Sequence, residues 1–298
     1  MDAAMVWRVW RRVLREAPVR SAMADGRLEQ NAAALGLSPA EVEVAREYAA
    51  GQAGVRMFVE SYRFRMVSSF FNALETTAPL THRALMANDV DLRAAATAFL
   101  DEHEWRDFGP FVYAFGRLIL DRLSDDDTAM SIDGLRELMA LERAAIDVVT
   151  SAADAVTPTG DSPASPAGES PPDSEEPQDG AGQLWRARPW LGIHSTDRDL
   201  SQWLRDPRAL GRTVPPRTPR TYVVYLPSLT ADRRIVALPS RAAAALRILR
   251  DQPLASADLA TALERAHPGD SLRDRDLLDR LAAMGLVDAP HDGTPARV

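Results

Sequence analysis

The side chains able to do chemistry are few and scattered. The five histidines lie far apart and none pairs with another at helical spacing. The chain has no cysteine, which excludes disulfides, thiolate metal sites and a cysteine nucleophile. Two acidic runs could in principle hold a cation. Asp101-Glu102-His103-Glu104 places ligands on neighbouring positions, which do not share a helix face, so it reads as a solvated helix end. Asp125-Asp126-Asp127 falls between helical stretches, where a capping loop is the commoner use of three acids. A Walker loop, a dinucleotide fingerprint and a nucleophile elbow are all missing. The chain is expected to catalyse no reaction and to hold no metal or cofactor.

The elements around these residues fall into two periods. Up to residue 156 the pattern is helical. Val6, Val9, Trp10 and Val13 form one apolar stripe, and Val55, Phe58, Val59, Tyr62, Met66, Phe70 and Leu74 form a longer one at the spacing of a buried helix face. Ser38-Pro39-Ala40-Glu41 predicts a capped helix start. Asp89 precedes a helix expected to end near His103, and further helices are predicted over 110–123 and 133–155. In the last of these, Leu135, Leu138, Met139, Glu142 and Ile146 are expected to alternate between buried and solvent faces.

Beyond residue 184 the period shortens. Tyr222-Val223-Val224-Tyr225-Leu226 and Ile235-Val236-Ala237-Leu238 are β-prone runs joined by a hairpin loop, and Trp190-Leu191-Gly192-Ile193 is a candidate third strand. Helices follow over 240–250, over 256–266 with Ser256 as the expected cap, and over 272–284 before Gly285. With Leu286-Val287 as a closing strand, this describes a winged-helix-like unit. The fold class is therefore mainly α, with an N-terminal helical bundle and a small α+β winged-helix-like C-terminal domain.

The 298 residues exceed the usual size of one domain, and 46% are hydrophobic, enough for two cores. Residues 157–183 hold many Pro, Gly and Ser, six acids, no base and, apart from the prolines, no aromatic or aliphatic residue larger than alanine. Such a segment cannot offset its chain entropy and reads as a disordered acidic linker. The expected domains are thus 1–156, the linker 157–183, and 184–298. All 35 Lys and Arg are arginines, a bias spread along the chain that is no nucleic-acid footprint by itself. Residues 184–298 carry 18 Arg against 13 acids, whereas 1–156 carry 17 against 24.

No run is long and apolar enough to span a membrane, and the arginines at 8, 11 and 12 stand where a secretory signal needs apolar residues. A cytoplasmic protein with no membrane partner is expected. The basic first helix, with Trp7 and Trp10, is expected to dock its aromatic stripe into the bundle rather than lie on an anionic membrane.

Tyr62-Arg63-Phe64-Arg65-Met66, Phe70-Phe71-Asn72-Ala73-Leu74, Ala78-Pro79-Leu80, Ala98-Phe99-Leu100-Asp101-Glu102-His103 and Leu141-Glu142-Arg143-Ala144 follow one another in an order that resembles a family catalogued as a DNA-binding domain. Its members include the MbnC-like partner proteins of multinuclear non-haem iron oxidases. The resemblance spans roughly 55–153 and 189–287 and leaves the linker unmatched. Glu104 stands where the family commonly has proline.

The resemblance implies a non-catalytic accessory subunit in the making of a ribosomally synthesised, post-translationally modified peptide. Its partners would be a multinuclear non-haem iron oxidase and the precursor peptide, whose leader adds a strand to the C-terminal domain. A small sheet has edges that a peptide can extend through main-chain hydrogen bonds. The candidate peptide-binding residues are Tyr222, Val223, Val224, Tyr225, Leu226, Arg233, Arg234, Val236 and Leu238.

The rival reading is a winged-helix DNA-binding regulator. Against it, the candidate recognition helix carries Asp274, Asp276 and Asp279 among Arg273, Arg275 and Arg280, and carboxylates repel phosphates. A nucleic-acid partner is therefore not expected.

Overall fold

A computed structural model describes residues 2–102, 112–156, 184–268 and 274–289. The expected linker at 157–183 and the pair His103 and Glu104 lie outside the described residues. The fold is mainly helical with small antiparallel sheets toward the C-terminus, as expected. Among the described residues no helix is long and apolar enough to cross a membrane. Two compact units divide the chain: Met1–Arg136 with Leu210–Arg212, and Glu137–Ala209 with Thr213–Val298.

In the first unit the helices are α1 (Ala3–Arg15), α2 (Ala17–Ala24), α3 (Leu28–Asn31), α4 (Pro39–Ala50), α5 (Gln52–Thr77), α6 (Pro79–Ala87), α7 (Leu92–Glu102), α8 (Val112–Ser124) and α9 (Asp127–Met130). Local chemistry sets their starts. Ser38 and Glu41 form the full capping box of α4, with Pro39 in its first turn. Asp126 accepts from the Ala129 amide at 2.9 Å, so the three-acid run is a cap, as its position suggested. At α7 the cap is Asp91, which accepts from the Ala94 amide at 2.9 Å. Asp89 instead takes a left-handed φ of 53° in the preceding turn, a conformation Asp tolerates better than most residues.

One core joins α1, α2 and α4 to the start of α5 through Val9, Val13, Val19, Val42, Ala45 and Val59. Trp10 docks on it, with ring centroids 5.3 Å from Tyr48 and 5.4 Å from Phe58, whereas Trp7 stays 49% exposed. Arg12 is spent inside the unit, on Glu16 at 2.7 Å and on the carbonyls of Leu35 and Gly36. Further along α5, Phe70 meets Phe99, which meets Phe115, each pair 5.7 Å apart. The long stripe on α5 is thus buried unevenly, a correction to the continuous face expected. Phe70 and Leu74 are sealed, while Phe58 is 54% exposed. Gly116 on α8 lets α5 approach, because a Cβ there would stand 2.7 Å from Thr77 Cβ.

The second unit holds α10 (Leu135–Val156) apart from its first two residues, then β1 (Leu184–Ala187), β2 (Leu191–Thr196), α11 (Ser201–Arg205), β3 (Arg220–Tyr225), β4 (Arg234–Leu238), α12 (Ser240–Asp251), β5 (Leu254–Ala255), α13 (Ser256–Ala266), α14 (Asp274–Ala283) and β6 (Val287–Asp288). The units divide after the second residue of α10, whereas the boundary expected from composition lies beyond its end. The cause is close packing: Gly192 on β2 faces Val148 and the Ala144 carbonyl of α10, so this helix covers a sheet. Glu142, expected to alternate toward solvent, is only 1% exposed, and Leu138, Met139 and Ile146 are buried with it.

The strands form two sheets, not one. The first has the order β5-β1-β6, with Trp185 opposite Leu254 and Ala187 opposite Val287. With α12, α13 and α14 it makes the winged-helix-like arrangement. The hairpin expected to supply its strands instead joins β2 in a second sheet of order β2-β3-β4, because the chain turns at Arg188–Trp190 between β1 and β2. Arg188 binds the sheets together: its amide donates to the Leu286 carbonyl, and its guanidinium reaches Asp288 and the Pro227 carbonyl, each at 3.0 Å. Ser256 is not the cap of α13 but its first residue. Its hydroxyl accepts instead from the Trp185 indole at 2.9 Å.

Candidate peptide-binding sheet

The sequence of β3 explains its place. A strand that is apolar at consecutive positions suits burial on both faces. Val223 and Tyr225 face α12 and join the core of Leu191, Leu238, Leu246 and Leu249. On the opposite face, the Tyr222 hydroxyl accepts from the Leu200 amide at 2.6 Å and donates to Asp199 at 3.2 Å.

β3 is the central strand. Val223 lies opposite Ile193 of β2 on one side and Val236 of β4 on the other, and Tyr222 lies between His194 and Ala237. Tyr222, Val223, Val224, Tyr225 and Leu226 are all buried, and Leu226 donates its amide to the Trp190 carbonyl at 3.1 Å. The expectation that a peptide could pair along Tyr222–Leu226 is therefore corrected. Main-chain groups already paired on both sides have nothing left to offer.

The outer strands remain. On β4, Arg234 is exposed, Ile235, Val236 and Ala237 are half-buried, and Leu238 is buried, with Val236 and Leu238 on the α12 face. Arg233 precedes them half-buried, and its Nη1 is shielded from solvent without a hydrogen-bond partner among the described residues. On β2, Gly192, Ile193 and His194 are half-buried and Ser195 is exposed. Burial lowers the pKa of the His194 imidazole, favouring its neutral form. Among the described residues no strand pairs with the far side of β2 or of β4.

Asp199 anchors the end of the sheet. Burial alone would raise its carboxyl, but hydrogen bonds from Ser201 and the Arg220 guanidinium outweigh that and hold it at about 2. Arg198, 8% exposed, donates to the Pro215 carbonyl at 2.9 Å and lies 3.6 Å from Glu137.

Sequence reasoning passed over α10 as a wall of the sheet, and Arg247 and Arg250 of α12 beside β2. Their spacing of three was visible, but which strand they flank was not. Asp101 accepts from Arg63 at 2.9 Å and lies 3.7 Å from Arg20, an ion-paired group rather than the solvated one expected. Among the described residues no three histidine, aspartate or glutamate side chains converge as metal ligands. Among the described side chains of α13 and α14, the exposed acids Asp258, Glu264, Asp276 and Asp279 outnumber the exposed bases Arg265 and Arg280. No protein-family model matches the chain, and no curated protein matches it.

Proposed function

We propose that this protein is a non-catalytic recognition subunit that captures an extended peptide by adding it as a strand to the β2-β3-β4 sheet. The observation that carries this reading is the state of the sheet. Helices and core residues fill both faces, β3 is paired on both sides, and among the described residues no strand takes up the outer main-chain donors and acceptors of β2 and β4. Strand addition uses that kind of surface, with main-chain bonds supplying affinity and alternate side chains supplying specificity.

The family resemblance supplies the identity of the peptide and its destination. It supports a precursor leader, held for a multinuclear non-haem iron oxidase that oxidises the core of a ribosomally made peptide in the cytoplasm. The oxidation chemistry belongs to the partner enzyme. A DNA-binding role is disfavoured by the exposed acids of α13 and α14, which would face phosphates.

Titration of the full chain with a precursor leader peptide, and separately with duplex DNA from the gene's own upstream region, tests this reading. Peptide binding together with co-purification of a multinuclear non-haem iron oxidase supports it. Tight, sequence-selective duplex binding with no peptide binding replaces it with the regulator.

A further inference from the structure

We infer that the outer edge of β2, not that of β4, receives the peptide, and that the strand it accepts carries carboxylates at alternate positions facing α12. This rests on the strand-addition reading above and adds the edge and the chemistry of the ligand.

The geometry starts from a groove of about 250 Å³ bordered by the consecutive residues 189–193. Successive residues of a strand point to opposite faces of a sheet. Pro189 and Trp190 belong to the turn before β2, and Leu191, Gly192 and Ile193 are its first three residues, so a hollow that touches all three meets side chains of both faces and runs along the strand's edge rather than over one face. Its two walls differ. Ala144, Val148 and Ser151 of α10, with Asp147, form one wall, and Arg250 of α12 stands on the other.

One turn earlier on α12, Arg247 donates to Ser195 Oγ of β2 at 3.1 Å. Residues three apart on a helix are neighbours on its surface. Arg250 beside 189–193 and Arg247 at Ser195 thus line β2 with positive charge on the α12 side. Arg250 is exposed and has no ion-pair partner among the described residues. An incoming strand sends every second side chain toward this rail, and carboxylates there meet guanidinium groups. The intervening side chains meet the α10 wall, where Asp147 disfavours acids and Ala144, Val148 and Ser151 suit small or β-branched residues. β4 carries one exposed charge, Arg234, at its first residue, and so has no comparable pattern along its length.

Fluorescence anisotropy on the full chain tests this with a labelled synthetic heptapeptide. Aspartate occupies its second, fourth and sixth positions, with threonine and valine between. A control of the same composition has its aspartates contiguous. The alternating peptide should bind at least severalfold more tightly than the control. The Arg247→Ala/Arg250→Ala double variant should weaken it by roughly fivefold at low salt and less at high salt, while Arg234→Ala leaves it unchanged. Arg250→Glu should shift preference toward the same peptide with lysine in place of aspartate, which a loss of folding could not do. Equal binding of the two aspartate peptides, their failure to bind at all, or an effect of Arg234→Ala matching that of the double variant overturns the β2 assignment. The recognition reading is judged separately by a precursor leader peptide: its binding to a chain insensitive at Arg247 and Arg250 would sink this inference and leave that reading standing.

Discussion

Gly192 of β2 and Val148 of α10 are in such close register that a Cβ on Gly192 would lie 3.0 Å from Val148 Cγ2. The helix rests directly on strand backbone, so volume added at this point must push the two apart. Gly192→Val is expected to destabilise the second unit by about 1–3 kcal/mol, the usual cost of overpacking. Val148→Ala should recover part of that loss in the double variant, because it removes the colliding methyl group. Urea unfolding of the four proteins of this cycle measures the coupling, and strictly additive effects would contradict the contact.

In the first unit, Gly116 and Thr77 make the same argument more severely. A Cβ at 116 would stand 2.7 Å from Thr77 Cβ and 2.8 Å from Thr77 Cγ2, and Thr77 is fully buried with its hydroxyl bonded to the Ala73 carbonyl at 2.7 Å. Gly116→Ala should lower stability by about 2–3 kcal/mol, although alanine is the better helix former by about 1 kcal/mol. A rise in the unfolding midpoint would show that α5 and α8 are not packed this closely.

Asp199 gives the second unit an acid-sensitive component. Its folded pKa of about 2 lies below the ordinary 3.8, so ionisation favours the folded state. That contribution is complete above about pH 4 and is lost as pH falls toward 2. The group is partly exposed, so screening reduces its size to the order of 1 kcal/mol. Asp199→Asn should flatten the acid limb of the stability profile between pH 4 and 2, and an unchanged limb would show that other carboxylates govern it.

Tyr222→Phe removes the hydroxyl that accepts from the Leu200 amide and donates to Asp199. An amide left buried without a partner costs about 1–3 kcal/mol. The ring's packing survives, so folding should weaken while peptide affinity at saturating folded protein stays within twofold. A large affinity loss in a folded Tyr222→Phe protein would place the hydroxyl in the binding surface.

Ser256→Ala tests a different expectation. Were Ser256 a helix cap, the loss would act on α13 alone. Because its hydroxyl accepts from the Trp185 indole, the change should cost about 1 kcal/mol and shift Trp185 fluorescence. No spectral change would argue for the capping role.

Local chemistry was legible in the sequence wherever a residue acts on near neighbours. The Ser38–Glu41 capping box, the cap at Asp126 and the helical and β-prone segments follow from side chains within a few positions of the groups they satisfy. The run of buried types at 222–225 showed a strand but not which side its neighbours take, because a continuous apolar run carries no alternation.

Tertiary structure alone decided the rest. Whether β3 is an edge depends on β2, about thirty residues earlier, and whether Gly192 is a weak point in a strand or a seat for a helix depends on Val148. Ser256 could cap a helix or hold an indole, and Trp185, 71 positions away, makes the choice. Arg247 and Arg250 are ordinary surface arginines until the order β2-β3-β4 places an outer strand beside them. Pattern and propensity act over one turn of helix or one hairpin, whereas strand order and face assignment are set by which distant surfaces exclude water together.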